Sequence, residues 1–112
     1  PVHYRDARVT GMLEKSFESI DKDRFYQITG NQFMEINTVF QLLYLSLNRK
    51  RQLDLADSLL MMPDLFNYYL SGKKCCEYSA ASTTQLLDAV RKEWSGEVSC
   101  RKSFPAGRLW EC

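Results

Sequence analysis

Apolar residues recur at helical spacing in the first part of the chain. The residues that fall on this face are Val9, Met12, Leu13, Phe17 and Ile20. Because they share one side of a 3.6-residue period and Asp6 stands near their start, the pattern predicts an amphipathic helix. A second, short helix is predicted over the letters DKDRFYQIT. Gly30 follows them, and glycine commonly ends a helix in the left-handed conformation.

A third helix is predicted around the apolar letters VFQLLYL. Thr38 stands before them and is expected to cap the first turn. The residues expected to face inward are Val39, Leu42, Leu43 and Leu47. The basic letters NRKR follow, and they predict a solvated helix end where positive charge complements the helix dipole.

The middle of the chain alternates short apolar runs with strong helix signals. The letters SLLMM predict a short buried strand. Pro63 then suits the first turn of a further helix, which Gly72 ends. The letters KCCEYS predict another short strand, and STTQLLDA is expected to return to the core with Leu86 and Leu87 buried. The pattern as a whole predicts helices with a few short strands.

Composition narrows the functional classes. The 112 residues suit one small domain, and 15 Lys and Arg against 14 Asp and Glu give a net charge of +1. A net charge this close to zero does not indicate a basic surface for binding nucleic acid or an anionic membrane. The longest apolar runs are shorter than the ~20 residues that span a bilayer, and no leader is recognisable. We expect a cytoplasmic protein and, because the chain opens at Pro1, a piece of a larger one.

The four cysteines are Cys75, Cys76, Cys100 and Cys112. Two neighbouring cysteines do not give the C-x-x-C spacing of a zinc site, so we expect free, reduced thiols. His3 is the single histidine, and without a G-x-S-x-G motif it is expected to be structural rather than part of a hydrolase triad.

Three charged residues near helix starts are also expected to be structural. Asp6 is expected to cap the first helix while Arg5 pairs locally. Asp64 follows Pro63 in a first helical turn, where a carboxylate complements the helix dipole and accepts from backbone amides. We therefore predict no catalytic carboxylate among them.

Five motifs occur in a fixed order: YRDAR, TGNQF, NTVFQL, MPDLFNYYLSG and EYSAASTTQLL. This ordered set resembles the N-terminal domain of the FGGY carbohydrate kinases over residues 1–95, most closely the rhamnulokinase branch. Ser71 replaces the threonine usual in the family, and Gln85 after the double threonine sets that branch apart from glycerol and xylulose kinases. The resemblance implies an α/β fold, as a piece of an actin-like ATPase (ribonuclease H-like) domain.

Residues 96–112 form a divergent tail in which only Phe104 and Pro105 match the family. A frame error or an artificial end is one explanation of this tail. We assign no function to Cys100, Trp110 or Cys112.

The resemblance also implies an activity: transfer of the ATP γ-phosphoryl group to the 1-hydroxyl of L-rhamnulose. It places the phosphate-binding loop upstream of Pro1 and the catalytic aspartate downstream of Cys112. ATP and magnesium are therefore expected to be bound mainly by the rest of the kinase N- and C-terminal domains. No catalytic residue is assigned within this chain, and the chain alone is expected to be inactive.

The substrate-binding residues implied by the resemblance lie in the letters NQFMEIN. They are Gln32, Phe33 and Asn37. Short polar side chains on loops suit a polyol, because each hydroxyl needs donor and acceptor partners, and Phe33 would provide a flat apolar wall. The hydroxyl-rich letters YSAASTTQLL are expected to bond to their own backbone, with a polar wall at the cleft as the alternative.

Two alternatives stay open. One is another FGGY kinase, acting on fuculose or xylulose. The other is a non-catalytic, small helical interaction module, because the helices are amphipathic and no catalytic set is complete within the chain.

Overall fold

The computed structural model describes residue 3 and residues 5–99. Predictions that concern Tyr4, Cys100, Cys112 and the part of the tail from residue 100 onward lie outside the described residues. The elements follow in this order: a 3-10 helix at Ala7–Val9, α1 at Met12–Ser16, α2 at Lys22–Thr29, α3 at Thr38–Asn48, α4 at Lys50–Asp54, α5 at Met62–Ser71, α6 at Tyr78–Ser82, β1 at Leu87–Asp88, β2 at Glu93–Trp94 and α7 at Gly96–Ser99.

The first predicted helix is interrupted, so the prediction of one continuous amphipathic helix is wrong. Gly11 has a φ of 81° and separates the 3-10 helix from α1. Glycine enters this left-handed region at little cost, and it also weakens a helix interior. Val9 and Ile20 are nevertheless buried, and the apolar residues between them pack against the core.

Helices α2 and α5 begin and end where their sequence signals predict. The Asp21 carboxylate accepts from two backbone amides in the first turn of α2, and Gly30 ends that helix with a φ of 65°. Pro63 lies in the first turn of α5, and Gly72 ends it with a φ of 71°. Both glycines provide the left-handed residue that satisfies the last carbonyls of a helix.

Helix α3 begins one residue earlier than predicted, at Thr38 itself. Asn37 is the N-cap and Thr38 is already helical, so the predicted capping role of Thr38 is wrong. Of the residues expected to face inward, Leu47 does not: its exposed fraction is 47%. The others are buried: Val39, Leu42 and Leu43. At Arg49 the backbone leaves the helix, and the short α4 follows within the basic segment.

Both predicted strands in the middle of the chain are wrong. Residues 57–61 and 73–77 are irregular, and α6 follows the second of these segments. A short apolar run becomes a strand only where a neighbour provides backbone partners. Within the described residues the only sheet is the hairpin of β1 and β2, with Leu87 opposite Trp94 and Asp88 opposite Glu93.

The core lies between α2, α3 and the segment that carries the hairpin. Its buried residues are Ile20, Phe25, Ile28, Val39, Phe40, Leu42, Leu43, Leu86 and Val98. The Ala89 amide donates to the Ile28 carbonyl at 2.8 Å, which ties the hairpin to α2. Arg24 and Glu97 form an ion pair at 2.7 Å, which joins α2 to α7. Helix α7 follows residue 95, the predicted domain boundary.

Candidate functional site

Residues 30–37 form the turn between α2 and α3 that carries the predicted substrate-binding residues. Phe33 is anchored in this turn by other aromatic rings. Its ring centroid lies 5.2 Å from that of Phe17 in an edge-on arrangement, and 5.3 Å from that of Phe25. These contacts hold the Phe33 ring as a fixed wall, since offset and edge-on ring pairs are favourable.

A groove of about 390 Å³ opens beside this turn. The residues that line it are Lys22, Asp23, Tyr26, Gln32 and Phe33. Tyr26 is 54% exposed, and its ring centroid lies 6.4 Å from that of Phe33. The groove therefore combines two aromatic faces with an amide, a carboxylate and an ammonium group.

The structure separates the three predicted substrate-binding residues. Gln32 is exposed and Phe33 half-buried, and both line the groove. Asn37 is 8% exposed and is not part of the groove lining. The Asn37 amide nitrogen donates to Gln85 Oε1 at 2.7 Å and to the Gln32 carbonyl at 3.2 Å, so both of its N–H groups have protein acceptors.

Gln85 completes a buried amide network behind the turn. It is fully buried, and its Nε2 donates to the Asn31 carbonyl at 3.3 Å. The Asn31 amide in turn donates to the Ser82 carbonyl. The turn before α3 is thereby connected to the segment that follows α6.

Three of the hydroxyl groups after Glu77 bond to the backbone of α6, as expected, whereas Ser79 Oγ donates to the Glu77 carboxylate. Ser82 Oγ donates to the Ser79 carbonyl at 2.8 Å, and Thr84 Oγ1 donates to the Ala81 carbonyl at 2.6 Å. The Glu77 carboxylate caps α6 by accepting from the Ser79 and Ala80 amides. None of these hydroxyl groups lines the groove.

Asp6 and Asp64 both serve the fold. Asp6 caps the 3-10 helix by accepting from the Arg8 amide, as expected, and it forms an ion pair with the Arg8 side chain. The hydrogen bonds from the Arg8 side chain and backbone lower the pKa of the Asp6 carboxyl to about 2. Asp64 is 1% exposed and accepts from the Glu77 amide at 3.0 Å.

The family model described as "FGGY family of carbohydrate kinases, N-terminal domain" matches residues 2–102. The chain belongs to the FGGY family of carbohydrate kinases. FGGY N-terminal domains have an actin-like ATPase fold, and a mainly helical segment with one short hairpin is consistent with that fold. The resemblance carried by the five ordered motifs is confirmed.

Three curated relatives of this FGGY segment carry the name rhamnulokinase. They come from Oceanobacillus iheyensis, Halalkalibacterium halodurans and Pectobacterium atrosepticum, with identities of 46%, 42% and 43%. The alignments cover 83%, 87% and 88% of this chain and 20%, 21% and 20% of the relatives. The FGGY segment therefore spans about a fifth of the length of these relatives.

The described part of the FGGY segment has neither a metal-binding cluster nor a membrane-spanning helix. Within residues 3 and 5–99 no group of three His, Cys, Asp or Glu side chains is placed to hold a metal ion. No helix in that part of the chain is long and apolar enough to cross a membrane. Cys75 is exposed and Cys76 is half-buried.

Sequence reasoning missed the α2 side of the groove. Lys22 and Tyr26 stand four residues apart, so they share one face of the helix, and Asp23 is adjacent to that face. This spacing was a usable signal. The role of Gln85 had no comparable local signal, because its partners lie in a different part of the FGGY segment.

Proposed function

We propose that this chain is part of a cytoplasmic kinase that phosphorylates the 1-hydroxyl of L-rhamnulose in rhamnose catabolism. The observation that carries the proposal is 42–46% identity to proteins named rhamnulokinase across more than four-fifths of the chain. Within the actin-like ATPase fold, we assign the segment to the ribonuclease H-like form.

In the proposed reaction, O1 of the ketose forms a bond to the γ-phosphorus of ATP. The bond from that phosphorus to the β–γ bridging oxygen breaks, and ADP leaves with the electron pair. The O1 proton passes to a carboxylate, which the family resemblance places outside this segment. The products are L-rhamnulose 1-phosphate and ADP.

The role proposed for this segment is to position the ketose. The Gln32 amide offers one acceptor and two N–H donors to sugar hydroxyls, and the Phe33 ring offers a flat surface to the carbon skeleton. Asn37 stabilises the backbone of the site, since its side-chain amide donates a hydrogen bond to the Gln32 carbonyl. Correct placement of the hydroxyl is a large part of phosphoryl-transfer catalysis.

ATP and magnesium are assigned to other parts of the kinase. Magnesium prefers oxygen ligands and bridges the phosphates in such reactions. The described residues do not assemble a fitting ligand set, and we assign no step to a metal held by this segment.

The activity is tested with the purified full-length kinase in a coupled assay for ADP. L-rhamnulose, L-fuculose, D-xylulose and glycerol are compared at saturating ATP. We expect the highest kcat/KM for L-rhamnulose. A higher value for fuculose or xylulose would replace the proposed substrate with that ketose, and ADP release with none of the four would remove the kinase proposal.

The ketose site is tested by Gln32→Ala in the same enzyme. Loss of the amide leaves sugar hydroxyls without partners, so we expect kcat/KM for the ketose to fall roughly tenfold to a hundredfold while the KM for ATP stays constant. Gln27→Ala is the matched control, because Gln27 is exposed on α2 and does not line the groove. Equal kinetics in the two variants would exclude Gln32 from the site.

A further inference from the structure

Gln85 has an unusual backbone conformation for a residue with a side chain. Its φ is 62°, and it is fully buried. Residues with a Cβ atom rarely adopt this left-handed region, so surrounding contacts must hold Gln85 in place. Such conformations cluster at functional sites, where neighbouring structure over-determines them.

The Gln85 side chain contacts one carbonyl group of the 30–37 turn directly and reaches the next carbonyl group through Asn37. Its Nε2 donates to the Asn31 carbonyl at 3.3 Å. Its Oε1 accepts from Asn37 at 2.7 Å, and the same Asn37 amide donates to the Gln32 carbonyl at 3.2 Å. The backbone on both sides of the Gln32 nitrogen is therefore held by buried amides, while the Gln32 side chain lies at the groove.

The requirement for glutamine at position 85 follows from this geometry. One buried side chain must donate to a carbonyl and accept from an amide at the same time. Glutamate has no N–H to donate, leucine has neither group, and asparagine is shorter by one methylene. An amide of this length satisfies both partners of a fully buried side chain, which none of these three replacements does.

We infer that Gln85 is a positioning residue for the ketose: through Asn37 and two carbonyl groups it fixes the turn that presents Gln32 and Phe33 to the groove. This inference rests on the proposed function, because it gives Gln85 a supporting role at the proposed ketose site. The amide network connects α6 to the turn before α3, and its contacts hold Gln85 in the left-handed backbone conformation. Loss of the network would loosen the placement of the sugar, with no effect on ATP binding.

The test compares Gln85→Leu with wild type in the full-length kinase. Leucine has a side chain of similar size but lacks both the donor and the acceptor of the amide. We expect the KM for the ketose to rise roughly tenfold, with the KM for ATP unchanged and a smaller change in kcat. The thermal stabilisation that saturating ketose gives without ATP should shrink in parallel.

A double variant separates positioning from general stability. If Gln85 acts through Gln32, Gln85→Leu should raise the ketose KM less than about threefold in a Gln32→Ala background, because the two changes remove one interaction. Lys92→Leu is the matched control. Lys92 has a φ of 58° but is exposed in the β-hairpin, and its replacement should alter neither KM.

A lower melting temperature with unchanged ketose KM, or full additivity with Gln32→Ala, would overturn the inference. If Gln85→Leu does not fold, Gln85→Glu is judged by the same criteria, because it keeps the acceptor for Asn37 and loses the donor to Asn31. If wild type prefers another ketose, the proposed substrate fails, and Gln85 is judged on the KM for that ketose.

Discussion

Asp64 is a carboxylate held almost entirely out of water in the first turn of α5. One oxygen accepts from the Glu77 amide at 3.0 Å, which joins α5 to the segment before α6. The other oxygen has no hydrogen-bond partner among the described residues. The sequence predicted a role in accepting backbone amides, but the amide comes from thirteen residues further along the chain. The sequence therefore predicted that Asp64 accepts from a backbone amide, but it did not predict that the amide is that of Glu77.

Asp64→Ala should therefore destabilise the connection between α5 and α6. The Glu77 amide would lose its buried acceptor, at a cost of about 1–3 kcal/mol. Hydrogen exchange in the full-length kinase measures this directly, because the Glu77 amide should exchange faster. Asp54→Ala, an exposed carboxylate on α4, provides the control. Unchanged exchange at Glu77 in Asp64→Ala would contradict the assignment.

At the scale of elements, signals that act within a few residues predicted the structure well. Gly30, Pro63 and Gly72 are all found at helix ends as predicted, because a left-handed glycine or a first-turn proline acts on its own turn. The two mid-chain strands were mispredicted because strands depend on partners elsewhere. The break at Gly11 was missed since the apolar spacing continues across it.

Gly30→Ala and Gly72→Ala form a matched pair for the ends of α2 and α5. Both glycines have positive φ, so both substitutions carry a backbone cost of roughly 1 kcal/mol. A Cβ at Gly30 would also lie 3.3 Å from the Ala89 side chain, whereas one at Gly72 would meet nothing within 4 Å. We expect Gly30→Ala to lower the melting temperature of the full-length kinase more than Gly72→Ala. Equal decreases in melting temperature would show that the hairpin shifts to accommodate the added Cβ next to Ala89.

At the scale of the molecule, the candidate site joins distant parts of the chain. Gln32 and Phe33 could be proposed from the family resemblance, and the α2 wall could have been found from helical spacing. Gln85, however, meets Asn37 across 48 positions. No local periodicity pairs two such amides, and a buried polar contact is fixed only when the whole core is assembled.

The core also depends on a residue near the end of the described chain. Val98 on α7 is fully buried, whereas Val90 in the hairpin is 85% exposed. Val98→Ala should lower the free energy of unfolding by about 2–3 kcal/mol, since it removes two methyl groups and leaves a cavity. Val90→Ala should change it by less than about 0.5 kcal/mol. Urea unfolding of the full-length kinase measures both, and equal effects would contradict the burial of Val98.

The late position of Val98 sets an order of events during synthesis. A ribosome adds about 5–20 residues per second, so roughly 4 to 16 s separate Ile20 from Val98. During that interval the core cluster that contains Phe25 and Phe40 is not yet packed against Val98. Codons that slow the ribosome between the two residues lengthen the period in which the nascent core can aggregate.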